Sequence, residues 1–190
     1  MNILHIITSP RSGSYSTQLG NHIVQELQKK HPNNRLVVRD LTKKDFPHIE
    51  EVHIHSFYTP AEHRSVAQNE ALVPSDTIIE EVRQADIIVI GTPLYNLTIP
   101  STLKVWIDHL VRAGETFRFT ETGAEGLVHG KKVFVALSSG GIYSEGPMQD
   151  YDFAAPYLKA ILGYIGIYDV SIVNGSSIIR RPCSRTCKVL

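Results

Sequence analysis

Cysteine is scarce in this chain: two in 190 residues, Cys183 and Cys187, both within eight positions of the end. A disulfide framework is thereby excluded as the source of stability. An excess of charge is missing too. Lys+Arg and Asp+Glu each number 19, for a formal net charge of zero, which argues against nucleic acid or an anionic membrane as a partner of the whole domain. No apolar run is long enough to span a bilayer. The chain starts with a strand-like segment, Asn2-Ile3-Leu4-His5-Ile6-Ile7, with no basic region or small-residue cleavage site before it. The expectation is a cytoplasmic protein with no membrane span. Neither a G-x-x-x-x-G-K-[ST] loop nor a G-x-G-x-x-G fingerprint occurs, which disfavours nucleoside triphosphate and dinucleotide sites. With 42% hydrophobic residues in 190, the chain can bury the core of one domain.

What is present alternates between strand and helix. After the first strand a polar turn runs from Ser9 to Ser16. Thr17–Lys30 then carries Leu19, Ile23, Val24 and Leu27 at helical spacing. Leu36–Val38 is a short second strand, and Leu41–Gln68 reads as an irregular excursion with short helices. Ser75 is placed to cap a helix over 76–84. The run Ile87-Ile88-Val89-Ile90 reads as a strand buried on both faces, as central parallel strands are. A helix opens at Pro100-Ser101-Thr102, with Trp106 and Leu110 at core spacing. Residues 116–130 form a hairpin-like insertion, because Phe117–Thr120 alternates and Thr122-Gly123 signals a turn. A strand over 133–137, a helix over 153–165 and a last strand over 170–173 complete the pattern. This predicts an α/β domain over residues 1–175 with an atypical tail over 176–190. Its core is a three-layer, doubly wound sheet of five parallel strands in the order 2-1-3-4-5.

Three loops follow three of these strands, where open parallel sheets bind ligands. The first holds Ser9, Arg11, Ser14, Tyr15, Ser16 and Thr17. Hydroxyls, one cation and a helix N-terminus suit a dianionic monophosphate. The second, Pro93-Leu94-Tyr95-Asn96-Leu97, offers flat and apolar cover, and the Asn96 amide can both donate to and accept from a pyrimidine edge. The third, Ser138-Ser139-Gly140-Gly141, presents backbone amides without Cβ obstruction. Taken singly, each loop also reads as an ordinary turn. Together, at corresponding strand ends, they outline a flat aromatic ligand with a phosphate tail, which fits flavin mononucleotide.

These residues resemble a known family. Pro93-Leu94-Tyr95-Asn96, Leu103-Lys104, Asp108, the run Arg112–Phe119, Glu125-Gly126-Leu127, Gly130-Lys131-Lys132, Ser138–Ile142, Pro156-Tyr157-Leu158 and Leu162–Ile167 are similar to FMN-dependent NADH-azoreductases. The resemblance covers roughly residues 1–175. It implies a flavodoxin-like homodimer that binds FMN, takes electrons from NAD(P)H and reduces quinones and aromatic azo compounds. Ser9 and Ser14-Tyr15-Ser16 would hold the phosphate side, and Leu94–Leu97 with Ser138–Gly141 the isoalloxazine. No side chain is required as nucleophile or acid. A two-step ping-pong at one flavin face is expected, with no separate pocket for the nicotinamide cofactor. Phe117, Phe119, Tyr143 and Tyr151 are candidates to wall the substrate space, across a dimer interface.

The chain departs from the family pattern at both ends. The first loop is about a residue shorter, which blurs which serine meets the phosphate. Pro182 and the aperiodic tail argue against the family's long terminal helix, leaving one sheet face undercovered. His48, His53 and His55 lack cysteine partners and read as surface histidines rather than a metal site. Cys187-Lys188-Val189-Leu190 matches a prenylation pattern, which chance also explains. Two rivals stand beside the enzyme. One is a flavodoxin-type electron carrier, against which zero net charge and the insertion speak. The other is a non-catalytic remnant whose tail prevents dimerisation.

Overall fold

A computed structural model describes residues 1–43 and 46–175. The readings of the 176–190 tail, of Pro182 and of Cys187 lie outside the described residues. The strand-like segments assemble one parallel sheet from β1 (Asn2–Ile7), β2 (Arg35–Asp40), β3 (Ile87–Pro93), β6 (Lys132–Ser138) and β7 (Asp169–Asn174). Their spatial order is β2-β1-β3-β6-β7. The two strands numbered between β3 and β6, β4 (Phe117–Thr120) and β5 (Gly123–Gly126), pair antiparallel with each other outside this sheet. They are the 116–130 insertion. The α/β architecture expected from the alternation is therefore present, with a five-stranded parallel sheet, and so is the flavodoxin-like fold that the resemblance implies.

Alternation along each strand sends residues to opposite faces. Leu4, Ile6, Ile88, Ile90, Val133 and Val135 meet the larger core cluster. That core also contains residues of α3 (Val66–Gln84), α4 (Ser101–Leu110) and α5 (Ala154–Tyr164). Ile3 and Val89 instead pack with Val24 of α1 (Tyr15–Lys30). Trp106 and Leu110 are each 1% exposed and belong to the core.

The fit of α1 on the sheet depends on Gly91. A Cβ there would stand 3.0 Å from the Ser16 carbonyl oxygen, closer than nearly all real contacts. Gly91 therefore serves the approach of α1 to β3, and this seats the first turn of α1 at the carboxyl end of the sheet.

Two local expectations are corrected. The helix expected to start after Ser75 begins at Val66, where Ser65 and Gln68 form a capping box, and it runs through Pro74. A proline–serine pair reads locally as a boundary, but Ser75 is fully buried and its hydroxyl donates to the His109 carbonyl at 2.6 Å. His53, expected at the surface, is 4% exposed on α2 (Glu51–Tyr58) and packs edge-on against His109 with ring centroids 5.4 Å apart. Its Nδ1 accepts from the Glu50 amide at 3.1 Å, so it closes a helix cap. Among the described residues, no group of three or more His, Cys, Asp or Glu is placed to hold a metal, and no helix is long and apolar enough to cross a membrane.

Candidate functional site

The loops after β1, β3 and β6 converge on a cavity of about 300 Å³. It is lined by Ser9, Arg11, Ser14, Tyr15, Pro93, Leu94, Tyr95, Ser138, Ser139 and Gly140. Ser16, Thr17, Asn96, Leu97 and Gly141 are not among its lining residues.

On the first loop, Ser14 precedes α1 as its N-cap but makes no side-chain cap bond. Its hydroxyl turns instead to Ser16, at 2.9 Å, and both serines are buried. Gln18 N donates to the Ser14 carbonyl, whereas the amides of Tyr15, Ser16 and Thr17 have no acceptor among the described residues. A helix N-terminus with three unspent donors, opening on a cavity, is ready to bind an anion. Arg11 supplies the loop's cation and stacks on the Tyr15 ring, 5.6 Å from its centroid.

The second loop is a tight turn. Tyr95 and Thr98 exchange backbone hydrogen bonds of 2.9 and 3.1 Å, and both central residues are left-handed, Asn96 at φ 49° and Leu97 at φ 69°. Asparagine tolerates that region, whereas leucine does so at a cost. The Leu97 carbonyl accepts from the Phe153 amide at 3.1 Å, and the Leu94 amide donates to the Ser138 carbonyl at 2.7 Å. These bonds tie the turn to α5 and to the third loop. The Tyr95 hydroxyl reaches 3.2 Å from Ser9 Oγ, joining the first two loops across 86 positions. In the third loop the Ser139 hydroxyl donates to the Gly141 carbonyl at 2.7 Å. A Cβ on Gly140 would meet nothing within 4 Å, so the backbone there faces open cavity.

The aromatic candidates are placed differently. Phe117 is 7% exposed, packed on Phe119 and Tyr164 with centroids at 5.3 and 4.8 Å. Phe119 stands 70% exposed on the hairpin and Tyr151 is exposed as well. Neither of these three side chains lines the cavity within one chain. Tyr143 lines a small neighbouring recess with Leu94, Ser139 and Asp152. Sequence reasoning missed a second cavity, of about 350 Å³, which shares Tyr95 with the first. It is bounded by Thr8, Pro10, Tyr95, Asn96, Thr98, Ile99, Pro100, Ser101 and Thr102. The signal available was the run from Thr98 to Thr102, three hydroxyls around Pro100, which reads as a helix start and nothing more.

Residues 1–181 match the family described as having a flavodoxin-like fold. The FMN-dependent NADH:quinone oxidoreductase of Herminiimonas arsenicoxydans is 44% identical over 177 residues, 93% of this chain and 87% of that protein. The chain belongs to this family. Another member, from Mesorhizobium japonicum, is 42% identical over 175 residues, 92% of this chain and 83% of its own length. Among solved structures, the azoreductase from Bacillus anthracis str. Sterne superposes with a TM-score of 0.85 at 30% identity, covering 91% of this chain and 85% of its own. An FMN-dependent NADH-azoreductase of Bacillus anthracis str. Ames Ancestor, solved in complex with FMN, gives a TM-score of 0.83 at 27% identity, covering 96% and 91%.

The residues present fit such a cofactor. The unspent amides of α1 beside buried hydroxyls suit a phosphate. Pro93, Leu94 and Tyr95 form an apolar wall, and Gly140 leaves room along its backbone. Among the described residues, no carboxylate side chain lines the cavity.

Proposed function

We propose that this chain is an FMN-dependent NADH:quinone oxidoreductase that also reduces aromatic azo compounds. The supporting observation is the meeting of three loops around one cavity, with a donor-rich helix end on one side and Leu94, Tyr95 and Gly140 on the other. Ser9, Arg11, Ser14, Tyr15, Ser16 and Thr17 would hold the phosphate end of the cofactor. Pro93–Leu97 and Ser138–Gly141 would hold its ring. Bound FMN supplies hydride acceptance from NADH and two-electron delivery to the acceptor. The protein's own part is to position, to exclude water and to supply electrostatics. Arg11 and the α1 amides neutralise the phosphate, while the rigid Tyr95–Thr98 turn presents the Asn96 amide.

Names of the relatives favour the enzyme over a flavodoxin-type carrier, and so does zero net charge. A homodimer belongs to this reading. Phe119, Tyr151, Phe153 and Tyr168 stand 49–78% exposed, and a second copy would cover them while bringing hairpin aromatics to the substrate space. The cytoplasm, with its supply of reduced nicotinamide, is the compartment we propose.

The test is direct. Purified protein should carry or take up FMN, show flavin absorbance, and oxidise NADH only when a quinone such as menadione is added. Asn96→Gly keeps the left-handed turn and removes the amide, so FMN affinity should fall about tenfold, the value of one or two hydrogen bonds. A chain that binds no FMN in fluorescence titration would overturn the proposal. Unchanged affinity in the variant would remove Asn96 from the site.

A further inference from the structure

Two cavities of similar size, about 300 and 350 Å³, are both lined by Tyr95. Pro10 lines the second, while its chain neighbours Ser9 and Arg11 line the first. Each volume is at the lower end of small-molecule sites. Among the described residues, no acidic side chain lines the second cavity. It combines flat or rigid apolar walls (Tyr95, Ile99, Pro10 and Pro100) with the hydroxyls of Thr98 and Ser101. Such a lining suits an uncharged ring carrying a polyhydroxylated sugar.

We infer that the cavity between the first loop and the start of α4 receives the adenosine end of the nicotinamide dinucleotide. The inference rests on the FMN reading of the first cavity and extends it to the electron donor. Of the two reactants, the dinucleotide must place a second ring and ribose beyond the flavin, whereas a quinone is satisfied at the flavin itself. Stacking on Tyr95 and packing on the prolines provide area at little entropic cost, because those residues are already rigid. Donor and acceptor thus still compete at the flavin, but the donor alone uses the second cavity.

ADP-ribose, which lacks the nicotinamide and cannot react, is the probe. Titrated calorimetrically into the FMN-loaded protein, it should bind without releasing FMN and inhibit competitively against NADH but not against menadione. Ser101→Phe and, as a second variant in case the first misfolds, Ser101→Leu fill the cavity. Each should weaken ADP-ribose binding and raise the KM for NADH by about tenfold, the loss of one buried ring's packing. Reoxidation of the dithionite-reduced, FMN-loaded protein by menadione should keep its rate. Failure of ADP-ribose to bind, or equal binding by the filled variants, overturns the inference. Slowed reoxidation with an unchanged KM for NADH also overturns it and gives the cavity to the acceptor. A chain that takes ADP-ribose but retains no FMN sinks the flavin reading alone; one that retains FMN and ignores ADP-ribose sinks this inference alone.

Discussion

Leu97 is the residue whose conformation least suits its side chain. Its φ of 69° places an L-residue with a Cβ in the left-handed region, at a cost of about 1–2 kcal/mol. Hydrogen bonds between Tyr95 and Thr98, and from Phe153 to the Leu97 carbonyl, hold it there. Substitutions should therefore follow backbone tolerance and not hydrophobicity. Leu97→Gly relieves the strain but loses a half-buried side chain and gains unfolded-state freedom, and these nearly cancel. Leu97→Val keeps apolar area but puts a β-branched residue at positive φ. It should be less stable than Leu97→Gly by about 1–2 kcal/mol. Urea midpoints of the two variants provide the measurement, and a more stable valine variant would show that burial decides this position.

At the scale of elements, α3 and the end of α4 are joined by a polar network inside an apolar layer. Arg112 is 5% exposed. Its guanidinium meets Asp76 at 2.7 Å and Glu115 at 3.2 Å, and donates to the Ser75 hydroxyl at 3.0 Å. Burial alone would raise the Glu115 pKa, but the Arg83 hydrogen bond and the Arg112 charge outweigh it and hold the carboxyl below its ordinary value. The network also explains how a helix containing Pro74 stays docked, since Ser75 anchors it to the His109 carbonyl. Arg112→Met should destabilise by about 2 kcal/mol in urea unfolding, below the usual range for breaking a buried pair because Asp76 remains solvated. Asp76→Asn, at a side chain 57% exposed, should cost under about 0.5 kcal/mol. Equal costs would mean that the pair, and not the buried arginine's packing and hydroxyl contact, carries the effect.

For the molecule as a whole, acid sensitivity is set by buried imidazoles. His5 lies on β1 under α1, 2% exposed, and its Nε2 has no partner among the described residues. Burial pushes its pKa down from 6.5 to about 4, and burial also lowers His109. The unfolded chain therefore binds more protons than the folded one between those limits. Stability is full above pH 6.5 and declines as pH falls toward 4. For His5 the loss reaches about 3 kcal/mol. Below that range the depressed carboxylates, Glu115 among them, add a further loss as they protonate. His5→Leu should flatten the limb between pH 6.5 and 4 in a series of urea unfolding curves. An unchanged slope in the variant would place the acid sensitivity in other groups.

Much of the fold was legible because its signals are local. The runs on β3 and β6, apolar on both faces, can only be central parallel strands, and the loops after them had to lie at the carboxyl edge. Hydroxyl-rich and glycine-rich loops at three such edges are likewise a matter of spacing along the chain. The start of α3 was not legible, because Pro74-Ser75 is locally a boundary and only the contact with His109 and Arg112 makes it helix interior. Nor was the burial of His53, which depends on His109, 56 positions away in the chain. By itself, then, the sequence determined the alternation of elements, the strand faces and the loops that could serve a ligand. The tertiary structure alone decided that Gly91 serves helix packing and that Leu97 is left-handed. It also decided that Ser9 meets Tyr95 and that Tyr95 lines two cavities. These depend on distances between segments far apart in the chain, and such distances exist only once hydrophobic burial has brought the segments together.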